Sequence, residues 1–354
     1  MAARKEKTLL VIGNGFDLAH GLKTKYTDFL DFFNKQFSNI EISEQFFNIG
    51  EINPFRKIIQ ASIDSKDDEA LHENLKNYMQ APFGNFWIAY FNKIREDRHN
   101  RIGEGWVDFE REVERVIGQL EKLLLHSADF DENDSILKEI MGDYFNKSAE
   151  IVTQEFIPKL NWDLKILTLF LEFYLIEEEK KLSIAPKSFF KKLNVQAVIS
   201  YNYTDTFRAV YKKGKTNIPV HFVHGQLGEH NLVLGIGETL SGEEKNNFTV
   251  CASFKKFFQS IKYKLGNDYR NILPSKPDIY NKWQIVFYGH SLDSTDKDSL
   301  KRLLKKAEDF PVKIYYYDDD DYNQQIANAI QLIEKDQLIK DVNAGRIVFL
   351  PMNS

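Results

Sequence analysis

The stretch 8-TLLVIGNGFDLAHGLKTKYTD-28 decides how the chain reads. Leu9, Leu10, Val11 and Ile12 form a short apolar run, the pattern of a parallel strand buried on both faces. The run stops at Gly13-Asn14-Gly15, followed by Phe16, Asp17 and a further glycine at Gly21. Glycines on both sides of Asn14 permit positive φ and a close approach of backbone to a ligand. A strand, a glycine turn and then a helix gather backbone N–H groups at a helix start. Such a start favours an anion, for example a phosphate, by roughly 0.3–1 kcal/mol when exposed. Leu18 stands where the dinucleotide fingerprint G-x-G-x-x-G has its last glycine, and the G-x-x-x-x-G-K-[ST] pattern is absent. The same glycines also suit a purely structural strand-to-helix turn. Asp17 and His20 favour the ligand reading, because both place polar groups where the turn would face a ligand.

At 354 residues the chain has room for one large α/β domain or a domain with a sizeable insertion. Apolar residues make up 43% and charged residues 28%, as in ordinary globular proteins. A net charge of −5 supplies no global basic field, so nonspecific duplex binding is not implied. The apolar run after the basic MAARKEK is too short for a secretion signal, and nothing approaches a membrane span. The single Cys251 excludes an intramolecular disulfide and a cysteine-based zinc cluster. The expectation is a cytoplasmic protein with no membrane partner. Aromatic residues such as Phe29, Phe32, Phe33, Phe86, Trp87, Tyr90 and Phe91 recur at helix-like spacing and read as core.

Beyond the opening turn, Tyr26–Gln36 reads as an amphipathic helix with Phe29, Leu30 and Phe33 inward. Helical periodicity then continues to about Ser188, over Leu71–Met79, Asn85–Arg95, Trp106–Leu125, Asp134–Asn146, Ala149–Ile157 and Leu164–Lys181. That is too long for a simple βα crossover, so it reads as a helical insertion. Acidic residues such as Asp108 and Glu110 are interleaved with the apolar face of the Trp106 helix and read as its solvated side. Strand patterns resume at Val195–Ser200 and recur at Val220–Val223, Leu232–Leu234, Gln284–Tyr288, Val312–Tyr317 and Arg346–Leu350. Helices are expected between them at Thr204–Lys213, Phe254–Leu265, Asp296–Ala307 and Tyr322–Leu338, with Asp318–Asp321 as a solvated turn. Strands alternating with helices predict an α/β fold, a doubly wound, mostly parallel sheet. Residues 1–30 and 189–354 form its core, and 31–188 the insertion after the first βα unit.

In such a sheet, ligands collect at the carboxyl ends of strands near the point where the strand order reverses. The expected strands deliver Gly13, Asn14, Gly15 and Asp17; then Asn202, Tyr203, Thr204 and Asp205; then His224 and Gly225; then Gly289, His290 and Ser291, with Asp296 at the cap of the next helix. Four strand ends finishing in polar or glycine residues are more than structural turns require. Asn202 offers both a donor and an acceptor, suited to a ribose hydroxyl, a base edge or a water. His224 is a candidate general base, since an imidazole titrates near neutrality. Ser291 lies outside a G-x-S-x-G elbow, because position 293 is Asp293. The histidines show no metal-ligand spacing, and no metal is expected.

Residues 12–30, IGNGFDLAHGLKTKYTDFL, resemble the opening motif of the bacteriophage abortive-infection AbiH family. Asn202-Tyr203-Thr204, His224-Gly225 and Tyr288-Gly289-His290-Ser291-Leu292 fit the same pattern in order. The layout is also similar to that of Sir2-like proteins, including NAD-cleaving antiphage domains, which implies a Rossmann-like nucleotide-binding core. On that likeness Asn202 would orient ribose and water, and His224 would be the base. The segment Gly13–Asp17, with Phe16 and His20, would hold the pyrophosphate; Gly289, Ser291 and Asp296 would hold the adenosine side, with Tyr203, Thr204, Gly225 and His290 lining the ligand. Thr204 stands at the aspartate of the Asn-x-Asp segment, with Asp205 one residue late, and Gly-Asn-Gly-Phe-Asp replaces the usual Gly-Ala-Gly-x-Ser. These departures bear on NAD cleavage more than on nucleotide binding.

The implied function is an antiphage effector that binds a nucleotide, NAD first among them, and hydrolyses its N-glycosidic bond by direct attack of water. Asn202, His224 and Asp205 would be the catalytic residues. No prosthetic group is implied; NAD would be a substrate. The alternatives are a nucleotide-sensing module that engages a phage or host protein, and a nuclease acting on RNA or single-stranded DNA. For the nuclease, the basic-aromatic stretch is Lys255, Lys256, Phe257, Phe258, Lys262, Tyr263, Lys264 and Arg270. A homo-oligomer is compatible with all three.

Overall fold

The computed structural model describes residues 6–37, 49–80, 84–102, 108–124, 135–182, 186–211, 218–237, 250–266, 272–274 and 282–352. Trp106 and Arg270 lie outside these described residues. Among the described residues the chain forms six strands: β1 (Lys7–Ile12), β2 (Asn194–Ser200), β3 (Val220–Phe222), β4 (Trp283–Tyr288), β5 (Val312–Tyr316) and β6 (Ile347–Pro351). They make one sheet in the order β3-β2-β1-β4-β5-β6, and every neighbouring pair is parallel. The order reverses between β1 and β4, which places the point where ligands collect beside the Gly13–Gly15 turn.

Alternation along the central strands explains the two-sided burial. Leu9 and Val11 of β1, Ala197 and Ile199 of β2, and Ile285 and Phe287 of β4 share one apolar cluster. Leu300, Leu303 and Leu304 from the helix Lys297–Lys306 complete it, with Ala329 and Leu332 from Asp319–Leu332. The intervening residues Leu10, Ile12, Val198, Val286 and Tyr288 share the other cluster with Phe16, Phe190 and Phe207. A strand whose neighbouring side chains both need cover reads as an unbroken apolar run, as Leu9–Ile12 does.

Two compact units result. The first comprises Met1–Thr24, Leu175–Asn231 and Ser260–Ser354 and carries the sheet. The second comprises Lys25–Tyr174 and Leu232–Gln259 and is helical, with Tyr26–Gln36, Ile49–Ser65, Asp68–Gln80, Phe86–Ile102 and Phe109–Leu124 among its helices. Its centre holds a buried ion pair, Lys159 with Asp163. Asp163 also accepts from the Phe86 N–H (2.8 Å) and the Tyr78 hydroxyl (3.1 Å). The units divide at 24/25 and 174/175, where sequence periodicity suggests 30/31 and 188/189, and Leu232–Gln259 joins the helical unit.

Five elements differ from expectation. Leu232–Leu234 is buried but forms no strand; Gln259 Nε2 donates to the Leu234 carbonyl (3.1 Å). An apolar run of that length answers a need for burial, not for a ladder. Asp318–Asp321 is a helix start and not a solvated turn: Asp318 accepts from the Asp321 N–H (2.9 Å), and three aspartates occupy the favoured first turn. The expected helix Tyr322–Leu338 is two helices, broken at Ile333, with Glu334 capping the second. Ala149–Ile157 and Leu164–Lys181 run together through a wide turn at Val152–Phe156, just before Pro158, whose missing N–H suits such a turn. The helix Ile49–Ser65 is additional to the expected helices and carries Pro54 within it, a residue that usually breaks a helix.

Candidate functional site

The turn after β1 packs directly on the turn after β4. Gly15 N–H donates to the Gly289 carbonyl (2.8 Å), Gly13 N–H to that of Tyr288 (3.3 Å), and Phe16 N–H back to Gly13 (2.8 Å). A Cβ on Gly289, whose φ is +66°, would lie 2.2 Å from Phe16 N. One on Gly15 would lie 2.7 Å from Gly289 Cα, and one on Gly13 2.7 Å from the Gly289 oxygen. The three glycines thus permit two backbones to touch, and three N–H groups of the turn are engaged within the protein. Asn14 is the exposed residue there, its side-chain oxygen accepting from Thr24 Oγ1 (2.5 Å).

Phe16 and His20 face the core. Phe16 stacks edge-on against Phe190 (5.1 Å between centroids). His20 Nδ1–H donates to the Phe16 carbonyl (2.7 Å), and Nε2 accepts from the Tyr211 hydroxyl (2.7 Å). Both ring nitrogens are occupied, and burial holds the imidazole below its ordinary pKa. His20 is thereby a neutral packing residue.

Asp17 lies in the short helix Asn14–Ala19 that follows β1 and is 1% exposed. Oδ2 accepts from Thr204 Oγ1 (2.5 Å), which in turn accepts from Thr206 Oγ1 (3.1 Å). Oδ1 has no hydrogen-bond partner among the described residues. Burial pushes the carboxyl up to about 7, against the Thr204, Thr206 and Asn202 contacts that favour its ionised form. Asn202, at the end of β2, ties the two strand ends together: its Nδ2 donates to the Gly13 carbonyl (3.0 Å). Asp205 faces Arg208 (3.2 Å), and its N–H donates to Glu179 Oε1 (2.6 Å). Burial, with Asp205 close by, raises the Glu179 carboxyl.

A second group gathers around Asp296. Val223 N–H donates to the Ser200 carbonyl (2.8 Å), which sets His224 beside the end of β2. Asp293 caps the turn Ser294–Asp296 through Thr295 N–H (3.0 Å), so Asp296 makes no capping bond to the following helix. Its Oδ1 instead accepts from His224 Nε2 (2.8 Å). That bond needs a proton on Nε2, so in the neutral imidazole Nδ1 is the lone-pair nitrogen, and it is buried without a hydrogen-bond partner among the described residues. His290 Nε2 lies 3.8 Å from Asp296 Oδ2. Tyr201 stands edge-on to both imidazoles, at 4.3 Å from His290 and 5.5 Å from His224, with its hydroxyl 3.0 Å from Ser299 Oγ.

The remaining candidates lie around this centre. The Tyr203 ring is 6.5 Å from that of His224. Gly225 has φ +86°, and a Cβ there would strike the Asn231 carbonyl at 2.3 Å. The Ser291 side chain is exposed, and its carbonyl accepts from Asn328 Nδ2 (2.8 Å). Asn202, Asp17 and Thr204 therefore form one cluster, and His224, Asp296 and His290 another. Sequence reasoning passed over Thr206 and Glu179. Thr206 was legible in the Thr204-x-Thr206 spacing; Glu179 belongs to a distant helix and carried no local signal. Among the described residues no group of His, Cys, Asp or Glu suits a metal ion, and no helix is long and apolar enough to cross a membrane. Lys255 and Lys256 are buried and paired with Glu121 (3.2 Å) and Glu110 (2.8 Å), so they form no solvated basic face.

An all-parallel, doubly wound sheet with a glycine turn after β1 and polar groups at four strand ends defines a Rossmann-like α/β protein. Residues 9–318 match the family described as Bacteriophage abortive infection AbiH, and the chain belongs to that family. Membership associates it with antiphage abortive infection. Comparison with curated proteins and with solved structures returns no match.

Proposed function

We propose that this protein acts in antiphage defence by binding a nucleotide at the strand-end cluster and hydrolysing its N-glycosidic bond, with NAD as the substrate suggested by the likeness to Sir2-like proteins. The observation that carries the reading is the His224–Asp296 pair, an imidazole held by a carboxylate on one nitrogen with a buried lone pair on the other. In the reaction the bond from ribose C1′ to the nicotinamide nitrogen breaks, and its electron pair neutralises the ring nitrogen. Water adds to C1′ and gives its proton to His224 Nδ1, with Asp296 bearing the imidazolium. The products are ADP-ribose, nicotinamide and a proton. Asn202, its Nδ2 engaged by Gly13, presents its oxygen to a ribose hydroxyl or the water. Asp205 is the candidate for opposing positive charge on the sugar, although Arg208 offsets part of its own. With the N–H groups of Gly13, Gly15 and Phe16 engaged, the side-chain amide of Asn14 is the donor the turn offers to a pyrophosphate.

The test is nicotinamide release from NAD by the purified protein, and NAD content in cells before and after phage challenge. His224→Ala should lower turnover by roughly 10²–10⁴-fold, as loss of a general base does, with the fold intact. Unchanged NAD in infected cells that still arrest would refute hydrolysis of NAD. Binding without turnover, indifferent to His224→Ala, would establish the sensing module instead.

A further inference from the structure

The sheet ends on two unlike edges. β3 is three residues long and follows Pro219, whereas β6 runs Ile347-Val348-Phe349-Leu350-Pro351, apolar and without a charged side chain. Natural edge strands are blunted by shortness, charge or proline, because their free backbone groups invite a further strand. In β6 proline stands only at the last position. Which of its groups are free follows from the ladder. Val312 N–H donates to the Arg346 carbonyl (2.7 Å) at one end of β6, and Met352 N–H to that of Tyr316 (2.9 Å) at the other. In the parallel register of β5 and β6, the even-numbered residues from 346 to 352 therefore bond inward to β5. Ile347 and Phe349 turn both N–H and C=O to the open edge, while Pro351 turns a carbonyl there and has no N–H. Among the described residues no strand pairs with that edge. The helix Lys335–Asn343, which leads into β6, also presents apolar side chains to solvent, Ile339 at 50% and Val342 at 41% exposed.

We propose that β6 is the interface of a two-fold dimer, in which a second copy of this chain adds its own β6 antiparallel and the two sheets become one. A closed pair related by a two-fold axis requires an edge that complements itself. Antiparallel strands bond where outward-facing residues stand opposite each other, so here an odd-numbered residue must face an odd-numbered one. Centred on Val348, Ile347 stands opposite Phe349 of the copy, and the N–H and C=O groups of both residues are paired. Centred on Phe349, Ile347 would face Pro351 and its carbonyl would find no donor. Proline thus selects the first register. Val348, half-buried, then lies beside its own copy with Cα atoms about 4.5 Å apart. The two-fold axis runs perpendicular to the sheet, so the two Lys335–Asn343 helices share one face, where Ile339 and Val342 add apolar area. A specific interface needs upward of about 1,000 Å², more than two short strands supply. β6 carries no charge by which to select a foreign strand, whereas it is its own complement in length and register. Such a dimer needs no nucleotide.

The experiment is sedimentation velocity of the purified full chain, without ligand, across a micromolar range, joined to disulfide trapping. The wild type should show twice the monomer mass of 41.4 kDa. Val348→Lys sets like charges opposite each other and keeps the backbone of the β5 ladder, so it should return the molecule to 41.4 kDa, with the fold checked by circular dichroism. Ile339→Lys, at an exposed helix position, should weaken the dimer without unfolding the chain. Should Val348→Lys fail to fold, Val348→Cys still decides. Under mild oxidant it should link two chains, since a pair of this kind has disulfide spacing, whereas Leu350→Cys, opposite Arg346 of the copy, should not. Cys251 is buried and gives the wild type no such link. A wild type of 41.4 kDa at every concentration overturns the proposal and leaves the edge to an extended segment of another protein. A dimer that survives Val348→Lys and is not trapped through Val348→Cys uses another face and overturns it equally. Trapping through Leu350→Cys overturns the register.

Discussion

Asp17→Asn should make the sheet-bearing unit more resistant to unfolding at alkaline pH than at acid pH, relative to the wild type. Asp17 is 1% exposed, and burial raises its carboxyl from 3.8 to about 7. Between these values the native chain keeps a proton that the unfolded chain has released. The native state then binds more protons than the unfolded state, so stability falls as pH rises. At about 1.4 kcal/mol per tenfold change in acidity, the interval from 3.8 to about 7 amounts to roughly 4 kcal/mol, fully lost above pH 7. An amide cannot ionise and removes this slope. It keeps an oxygen for the Thr204 hydroxyl but replaces Oδ1, which has no partner, with an unsatisfied N–H₂, costing about 1–3 kcal/mol at every pH. The variant should therefore be the weaker protein near pH 4 and equal or stronger near pH 8. The decisive quantity is the change in that difference, roughly 4 kcal/mol across the range. Urea unfolding read by hydrogen exchange of Leu9–Ile12 and Ile285–Tyr288 peptides confines the signal to the first unit. Parallel stability curves for the two proteins would refute the argument. On the proposed reading the carboxyl serves the strand-end site, and loss of function in the stabilised variant is the companion expectation.

Gly289→Ala should lower the stability of the same unit by at least about 3 kcal/mol, because the new Cβ meets backbone at 2.2 Å and φ is +66°; a smaller loss would mean that the two turns separate easily. Gly118→Ala, in the open face of the helix Phe109–Leu124, should instead add about 0.5–1 kcal/mol to the second unit in urea unfolding, and a loss would contradict the open space around it. Lys159→Met should cost the second unit about 3–5 kcal/mol by leaving Asp163 a buried, unpaired carboxylate, read by Trp87 and Trp162 fluorescence in urea; a change under about 1 kcal/mol would show that water reaches the pair. Cys251 is buried, and its thiol is pushed up to about 12, so iodoacetamide at neutral pH should label it only after denaturation, and stoichiometric labelling of the native protein would refute its enclosure.

What was legible in the chain was what depends on neighbours in sequence. Leu9–Ile12 announces a strand covered on both faces, and its residues do divide between two apolar clusters. The strand order was not legible, since β1 pairs with β2 and β4 across separations that no local pattern records. The same limit explains Leu232–Leu234: a buried apolar run states that it needs cover, and whether a ladder or side-chain amides such as Gln259 provide it depends on a distant partner. At the candidate site, strand-end reasoning named residues that the fold does gather, because the carboxyl ends of parallel strands share one edge of the sheet. Their pairings were beyond it. Asp296 looks like a helix cap from its place before Lys297, yet Asp293 performs the nearby capping and frees Asp296 for His224. His20 looks like a ligand group from its place after the turn, yet the helical rotation carries it into the aromatic core, onto Phe16 and Tyr211. The glycines carry the clearest lesson. Spacing alone left open whether they approach a ligand or another backbone, and the second answer rests on Gly289, which lies far away in sequence and meets Gly15 only once β4 is laid beside β1.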